Sequence, residues 1–251
     1  MAKSALERKF HQNQGRVDKR LKAYLAEPES EKNIHNVRTS LRRLNATFSL
    51  LPKKVRRRYR GRFEKYRQFL KASSKARDCD IIAGRISTLG DLDTADLQRK
   101  KKAELAKITK LARPLKKLSP MRLANAPDGR RIDKVVHRLV EEIAKMLPPV
   151  LSDSKKVDEL HRLRKNFRKL RYILEMISAE DRKWHMKKAV RTIGRDIVLK
   201  EMQALLGLIH DSDITIDYLR SKGNKQFLNR EIGNRMQLYK KFVKYMKTNH
   251  S

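Results

Sequence analysis

A chain of 251 residues with 63 Lys+Arg against 28 Asp+Glu carries a formal charge of +35 and a pI near 10.6, so it attracts polyanions such as nucleic acid, an anionic membrane surface or inorganic polyphosphate. Its hydrophobic residues, 39% of the chain, recur periodically, which excludes a disordered basic tail. The single cysteine, Cys79, excludes an internal disulfide and a cysteine-rich metal site and fits a reducing compartment.

Gly (9) and Pro (7) are sparse and alternating strand patterns are nearly absent, so the expected fold is all-α. In chain order, helices are expected at 3–26, 30–51, 53–76, 79–89, 94–118, 130–147, 154–178, 181–210, 211–221 and 224–247. Pro28, Pro52, Pro120, Pro127 and the pair Pro148-Pro149 sit at or near the expected breaks. The N-terminal stretch MAKSALERKFHQNQG, most of it within the first expected helix, holds no apolar run of signal-peptide length, and no later run approaches a membrane span. A soluble cytoplasmic protein without membrane insertion is expected.

The helix at 30–51 has a partner further on. Shifted by 126 residues, Ile34, Val37, Leu41, Leu44, Phe48 and Leu51 fall on Leu160, Leu163, Phe167, Leu170, Leu174 and Ile177. His35, Arg38, Arg42 and Arg43 fall on His161, Arg164, Arg168 and Lys169. At an offset of 133, Gly61-Arg62 matches Gly194-Arg195, and Asp78-x-Asp80-Ile81 matches Asp211-x-Asp213-Ile214. Such self-similarity predicts one helical unit used twice, 1–118 and 130–251, with a linker at 119–129. The expected architecture is two helical bundles related by approximate two-fold symmetry.

At 100° per residue, the apolar seam Ile34–Leu51 occupies one face of its helix, and His35, Arg38 and Arg42 form a stripe about a quarter-turn away. A purely solvated face would lie opposite the seam; a stripe at its rim lies where a neighbouring helix makes a groove. His161, Arg164, Arg168 and Arg171 repeat the stripe over three turns, spanning roughly 15 Å. Lys54 and Arg58 flank the seam of the next helix, and Lys187 and Arg191 match them at the second offset.

A histidine beside an apolar seam reads either as a satisfied helix residue or as a phosphate ligand, protonated by the polyanion near neutral pH. Two histidines at one repeat position, each followed by arginines at i+3 and i+7, favour neither alone. Asp78, Asp80, Asp211 and Asp213 are expected to be structural, capping helix starts or holding an arginine or histidine, with metal binding as the sharper alternative.

The pattern His-x-x-Arg-x-x-x-Arg-Arg-Leu at His35–Leu44, with Arg-Asp-x-Asp at Arg77–Asp80, resembles the signature of the CHAD domain, the conserved histidine α-helical domain. The second half agrees from His161 through Tyr172, and at Leu206-Gly207 ahead of Asp211. The resemblance spans nearly the whole chain. It implies one domain of two four-helix bundles with pseudo-two-fold symmetry and a basic central groove that binds inorganic polyphosphate. Carried over by position, it implicates His35, Arg38, Arg42, Arg43, His161, Arg164, Lys165, Arg168, Lys169 and Arg171. Asn45 departs from the pattern, standing where the family often has a basic residue and where Arg171 stands in the second copy.

The expected activity is therefore electrostatic capture of polyphosphate without catalysis, cofactor or metal, in the cytoplasm or at polyphosphate granules. Arginine suits the task because its planar fork donates two hydrogen bonds to phosphate. A nonspecific RNA- or DNA-binding protein is the alternative reading, weakened by an aromatic content of only 6%. A phosphoryl-transfer or polyphosphate-cleaving enzyme is the third.

Overall fold

The structure is a computed structural model that describes residues 5–90, 92–123, 129–193 and 198–248. Among the described residues there are nine helices and no strands, as the spacing of apolar residues predicts. They are α1 (Ala5–Ala26), α2 (Glu31–Phe48), α3 (Lys53–Leu89), α4 (Ala95–Lys116), α5 (Gly129–Ser152), α6 (Val157–Leu174), α7 (Ala179–Ile193), α8 (Leu199–Ser221) and α9 (Lys225–Thr248). No helix among them is long and apolar enough to cross a membrane.

Three expected breaks differ. The helices expected at 53–76 and 79–89 are one, α3, because Arg77 and Asp78 carry nothing that stops a helix and no Gly or Pro interrupts them. α5 runs through Pro148-Pro149 to Ser152, so the prolines remove two helical donors near its end without stopping it. The helix expected at 181–210 is divided: α7 is described to Ile193, Val198 is extended (φ −85°, ψ 99°), and α8 then continues through the expected start at 211. Gly194-Arg195, expected to echo Gly61-Arg62, lies outside the described residues, as do 124–128 of the expected linker.

The chain forms two compact units. The first comprises 1–79, 95–135 and 172–182; the second comprises 80–94, 136–171 and 183–251. Within the first, α1 packs along α2 and against α4, burying Phe10, Leu21, Tyr24, Leu41, Leu44, Phe63 and Phe69. Tyr24 meets Phe69 edge-on at 6.0 Å between ring centroids and donates or accepts a 3.0 Å hydrogen bond with Thr109. Within the second, α8 packs along α9, and the buried set includes Ile86, Ile143, Phe167, Leu206, Leu219 and Phe242.

Helix ends follow local chemistry. Ser30, in extended conformation, caps α2 by accepting from the Asn33 amide at 3.4 Å. Ser178 Oγ accepts from the Asp181 amide at 3.0 Å and donates to Asp181 Oδ2 at 2.7 Å ahead of α7. Gly90 closes α3 with φ +142°, and Gly223 follows α8 with φ +69°, conformations that favour glycine.

Candidate functional site

The apolar seams are buried as expected. Ile34, Val37, Leu41, Leu44 and Leu51 are covered, with Phe48 partly so, and every seam residue from Leu160 to Ile177 is buried. Burial of the seam fixes the rotation of α2 and α6, and that rotation decides where the basic stripe emerges.

In the first unit, His35 is exposed and Arg42 and Arg43 are half-buried, but Arg38 is only 3% exposed. Its Nη2 donates to Ser74 Oγ on α3 at 3.2 Å. The stripe is therefore split: Arg38 is part of the α2–α3 packing, and the residues one turn either side of it reach the surface. α3 also brings Arg77 and Asp78 to this place. Partial desolvation, then the guanidinium groups of Arg38, Arg42 and Arg77, hold the His35 imidazole below its ordinary value. Its Nε2 lies 3.4 Å from Thr39 Oγ1. Arg42 is pushed down by burial and by Arg77, while Tyr172 and Asp78 oppose this; a guanidinium remains a cation all the same.

Arg43 is committed elsewhere. Its Nε donates to Glu175 Oε2 at 3.0 Å, and its Cζ stands 5.6 Å from the centroid of the Tyr172 ring. Lys54 and Arg58 are exposed on the first turns of α3. Sixteen residues separate Arg58 from Ser74, roughly 24 Å along a helix, so the structure does not gather them with His35 and Arg42.

In the second unit, His161, Arg164, Arg168, Lys169 and Arg171 are half-buried, and Lys165, Lys187 and Arg191 are exposed. Burial, then Arg138, lowers the Lys169 ammonium, against Glu142. The Arg164 guanidinium lies over α8 at Gly207, 4.0 Å from where a Cβ would stand there. His161 Nε2 is 3.0 Å from Asp213 Oδ2 and 3.0 Å from His210 Nδ1, and the two imidazoles meet edge-on at 4.4 Å between centroids. Asp213 Oδ1 accepts from Arg235 Nε on α9 at 2.5 Å. Burial opposes ionisation of Asp213, but the hydrogen bonds from His161 and Arg235, and their charges, outweigh it and leave its carboxyl below the ordinary value.

The aspartates require a correction. Asp78 and Asp80 lie inside α3, and Asp211 and Asp213 inside α8, so none stands at a helix start and none caps free backbone amides. The other structural role expected of them is the one Asp213 performs, holding a histidine and an arginine. Ser74, Arg77, His210 and Arg235 join these clusters without having been expected from the sequence as site residues. His210 had a signal, since it stands 133 residues after Arg77, the offset that relates the neighbouring aspartates. Arg235 had none, because nothing in its own helix distinguishes it from other basic residues.

Each cluster presents guanidinium and imidazole donors, the chemistry that recognises phosphate or carboxylate oxygens. Fold and site together define an all-α domain that carries motif histidines beside arginines. The CHAD domain family matches residues 5–220, and the chain belongs to that family. No curated protein matches the chain. α9, at Lys225–Thr248, lies beyond the matched span and yet supplies Arg235.

Proposed function

We propose that the protein binds inorganic polyphosphate, without catalysing its cleavage, through the histidine and arginine clusters of α2 and α6. The observation that carries this is the crowding of positive charge around His35. Partial desolvation, and then Arg38, Arg42 and Arg77, disfavour its protonation, and Asp78 is an acid beside Arg42. Cations held together at such an expense are relieved by a polyanion, which repays the repulsion on binding. The repeat read from the sequence offers, within the second unit, another set of imidazole and guanidinium donors at His161, Arg164 and Arg168. A phosphate chain has closely spaced charges and no bases, which suits this row of donors. The principal rival is nonspecific nucleic-acid binding, and it is favoured less because the large aromatic rings are mostly covered. Trp184, 51% exposed, is the exception.

Titration of defined-length polyphosphate and of RNA at two salt concentrations tests the reading. Polyphosphate should bind tightly and resist displacement by RNA at equal phosphate concentration; displacement at parity would overturn it. Arg42→Glu, Arg164→Glu and Arg168→Glu together should weaken binding at least tenfold with helicity intact by circular dichroism. That is the equivalent of about 1.4 kcal/mol, modest for lost charge-assisted hydrogen bonds. The exposed lysines Lys240, Lys241, Lys244 and Lys247, three of them reversed as the control, should do much less. Equal losses from both sets would mean that diffuse charge does the binding.

A further inference from the structure

A carboxylate at the centre of a phosphate-binding cluster poses a problem, because Asp213 stands against His161 and its charge opposes any anion that approaches the imidazole. We propose that Arg235 is a positioning residue of this site: it masks the charge of Asp213, so that the carboxylate orients His161 without repelling the ligand. This rests on the polyphosphate reading and extends it to α9, outside the span that the family matches.

The two oxygens of Asp213 are divided between two tasks. Oδ1 takes the Arg235 guanidinium at 2.5 Å, and Oδ2 faces His161 Nε2 at 3.0 Å. A lone pair on Nε2 would confront the carboxylate, so the network assigns a proton to Nε2, and Nδ1 donates to a phosphate oxygen once the ring takes a second proton. His210 Nδ1, also 3.0 Å from Nε2, shares the Nε2 proton. Asp213 and His210 from α8 face this imidazole, Arg235 from α9 stands behind the carboxylate, and Arg164 follows three residues later on the same helix and lies over Gly207. Arg235 and Asp213 form an ion pair whose charges offset one another at the carboxylate.

Arg235 is poorly explained as packing. It is 8% exposed, and its Nη2 is buried with no hydrogen-bond partner among the described residues. An apolar side chain there would avoid the desolvation of an ion and an unfilled donor. Among the described residues His35 has no comparable carboxylate clamp, its Nε2 lying 3.4 Å from the Thr39 hydroxyl instead. The two motif histidines are thus held by different devices.

The test uses the full chain and four variants, Arg235→Gln, Arg235→Lys, Asp213→Asn and the double variant Asp213→Asn with Arg235→Gln. The His161 imidazole is titrated by NMR, its signal assigned by its loss in His161→Gln, and polyphosphate affinity is measured at pH 7.5. In Arg235→Gln the unmasked carboxylate should make His161 titrate at higher pH than in the wild type and should weaken polyphosphate binding about fivefold. Arg235→Lys should restore both. With Asp213→Asn already present, adding Arg235→Gln should change affinity less than twofold, since no charge remains to be masked. An unchanged His161 titration in folded Arg235→Gln overturns the proposal. So does an equal loss of affinity with and without Asp213, a comparison that stands even where Arg235→Gln alone does not fold. The imidazole titration needs no ligand, so failure of the polyphosphate reading, seen as a wild type that does not bind, is told apart from failure of this one.

Discussion

His35 is exposed, yet neutral more readily than a free histidine, because partial desolvation and three guanidinium groups act on it. The sign of its pH dependence follows. In the free protein its value lies below the ordinary 6.5, and a bound polyanion raises it, so binding takes up a proton. Polyphosphate affinity should therefore rise as pH falls from the bound-state value to the free-state value and be level outside that window; isothermal titration from pH 8 to pH 5 in wild type and His35→Gln checks this, with a flatter profile in the variant. Arg38 answers to a different measurement. Buried on Ser74, it should behave as a structural residue, and Arg38→Ala should lower the unfolding free energy by about 1–3 kcal/mol in urea. Arg42→Gln, at a half-buried position, should lower it by much less. Positions 38 and 42 both read as rim in the sequence, four residues and roughly 40° apart around the helix. What separates them is that Ser74, on another helix, reaches one and not the other.

At the scale of elements, periodicity located the helices well and their joints less well. The seam at 34–51 and its counterpart at 160–177 are buried because a 3.6-residue period leaves one apolar face, whatever that face meets. Joints obey tertiary packing as well as local signals, which is why α3 passes straight through Arg77–Asp80 and α5 through two prolines. The far end of α3 is tied within the second unit. Arg85 donates to Glu231 Oε1 at 2.7 Å and to Ser212 at 2.7 Å, and Glu231 is 1% exposed. Removing the carboxylate strands a guanidinium, so Glu231→Ala should destabilise by about 3 kcal/mol in chemical denaturation. Gly90, which closes the same helix, has φ +142°, and a Cβ there would stand 2.9 Å from Phe227 Cζ. Gly90→Ala should therefore lower the melting temperature by several degrees, from about 1–3 kcal/mol of backbone strain, with Phe227 forced to shift.

Over the whole molecule, a charge of +35 on 251 residues means that the folded state repels itself. Salt and polyanions should both relieve this. Polyphosphate at a hundred times its Kd should add about 2.7 kcal/mol to the unfolding free energy, seen as a higher melting temperature at low salt, while its affinity should fall with rising salt as counterions compete. A thermal scan that showed no rise at low ionic strength would contradict a specific site. Charge sums and helical periods are properties of amino-acid order, so the sequence by itself determined an all-α, strongly basic chain with His35 and His161 beside apolar seams. Only the tertiary structure decided that Arg38 is covered by Ser74, 36 residues away, and that Asp213 joins His161 and Arg235 across separations of 52 and 22. The reason is physical. Burial and ion pairing depend on which side chain a neighbouring helix presents, and no period along one helix records what stands opposite it.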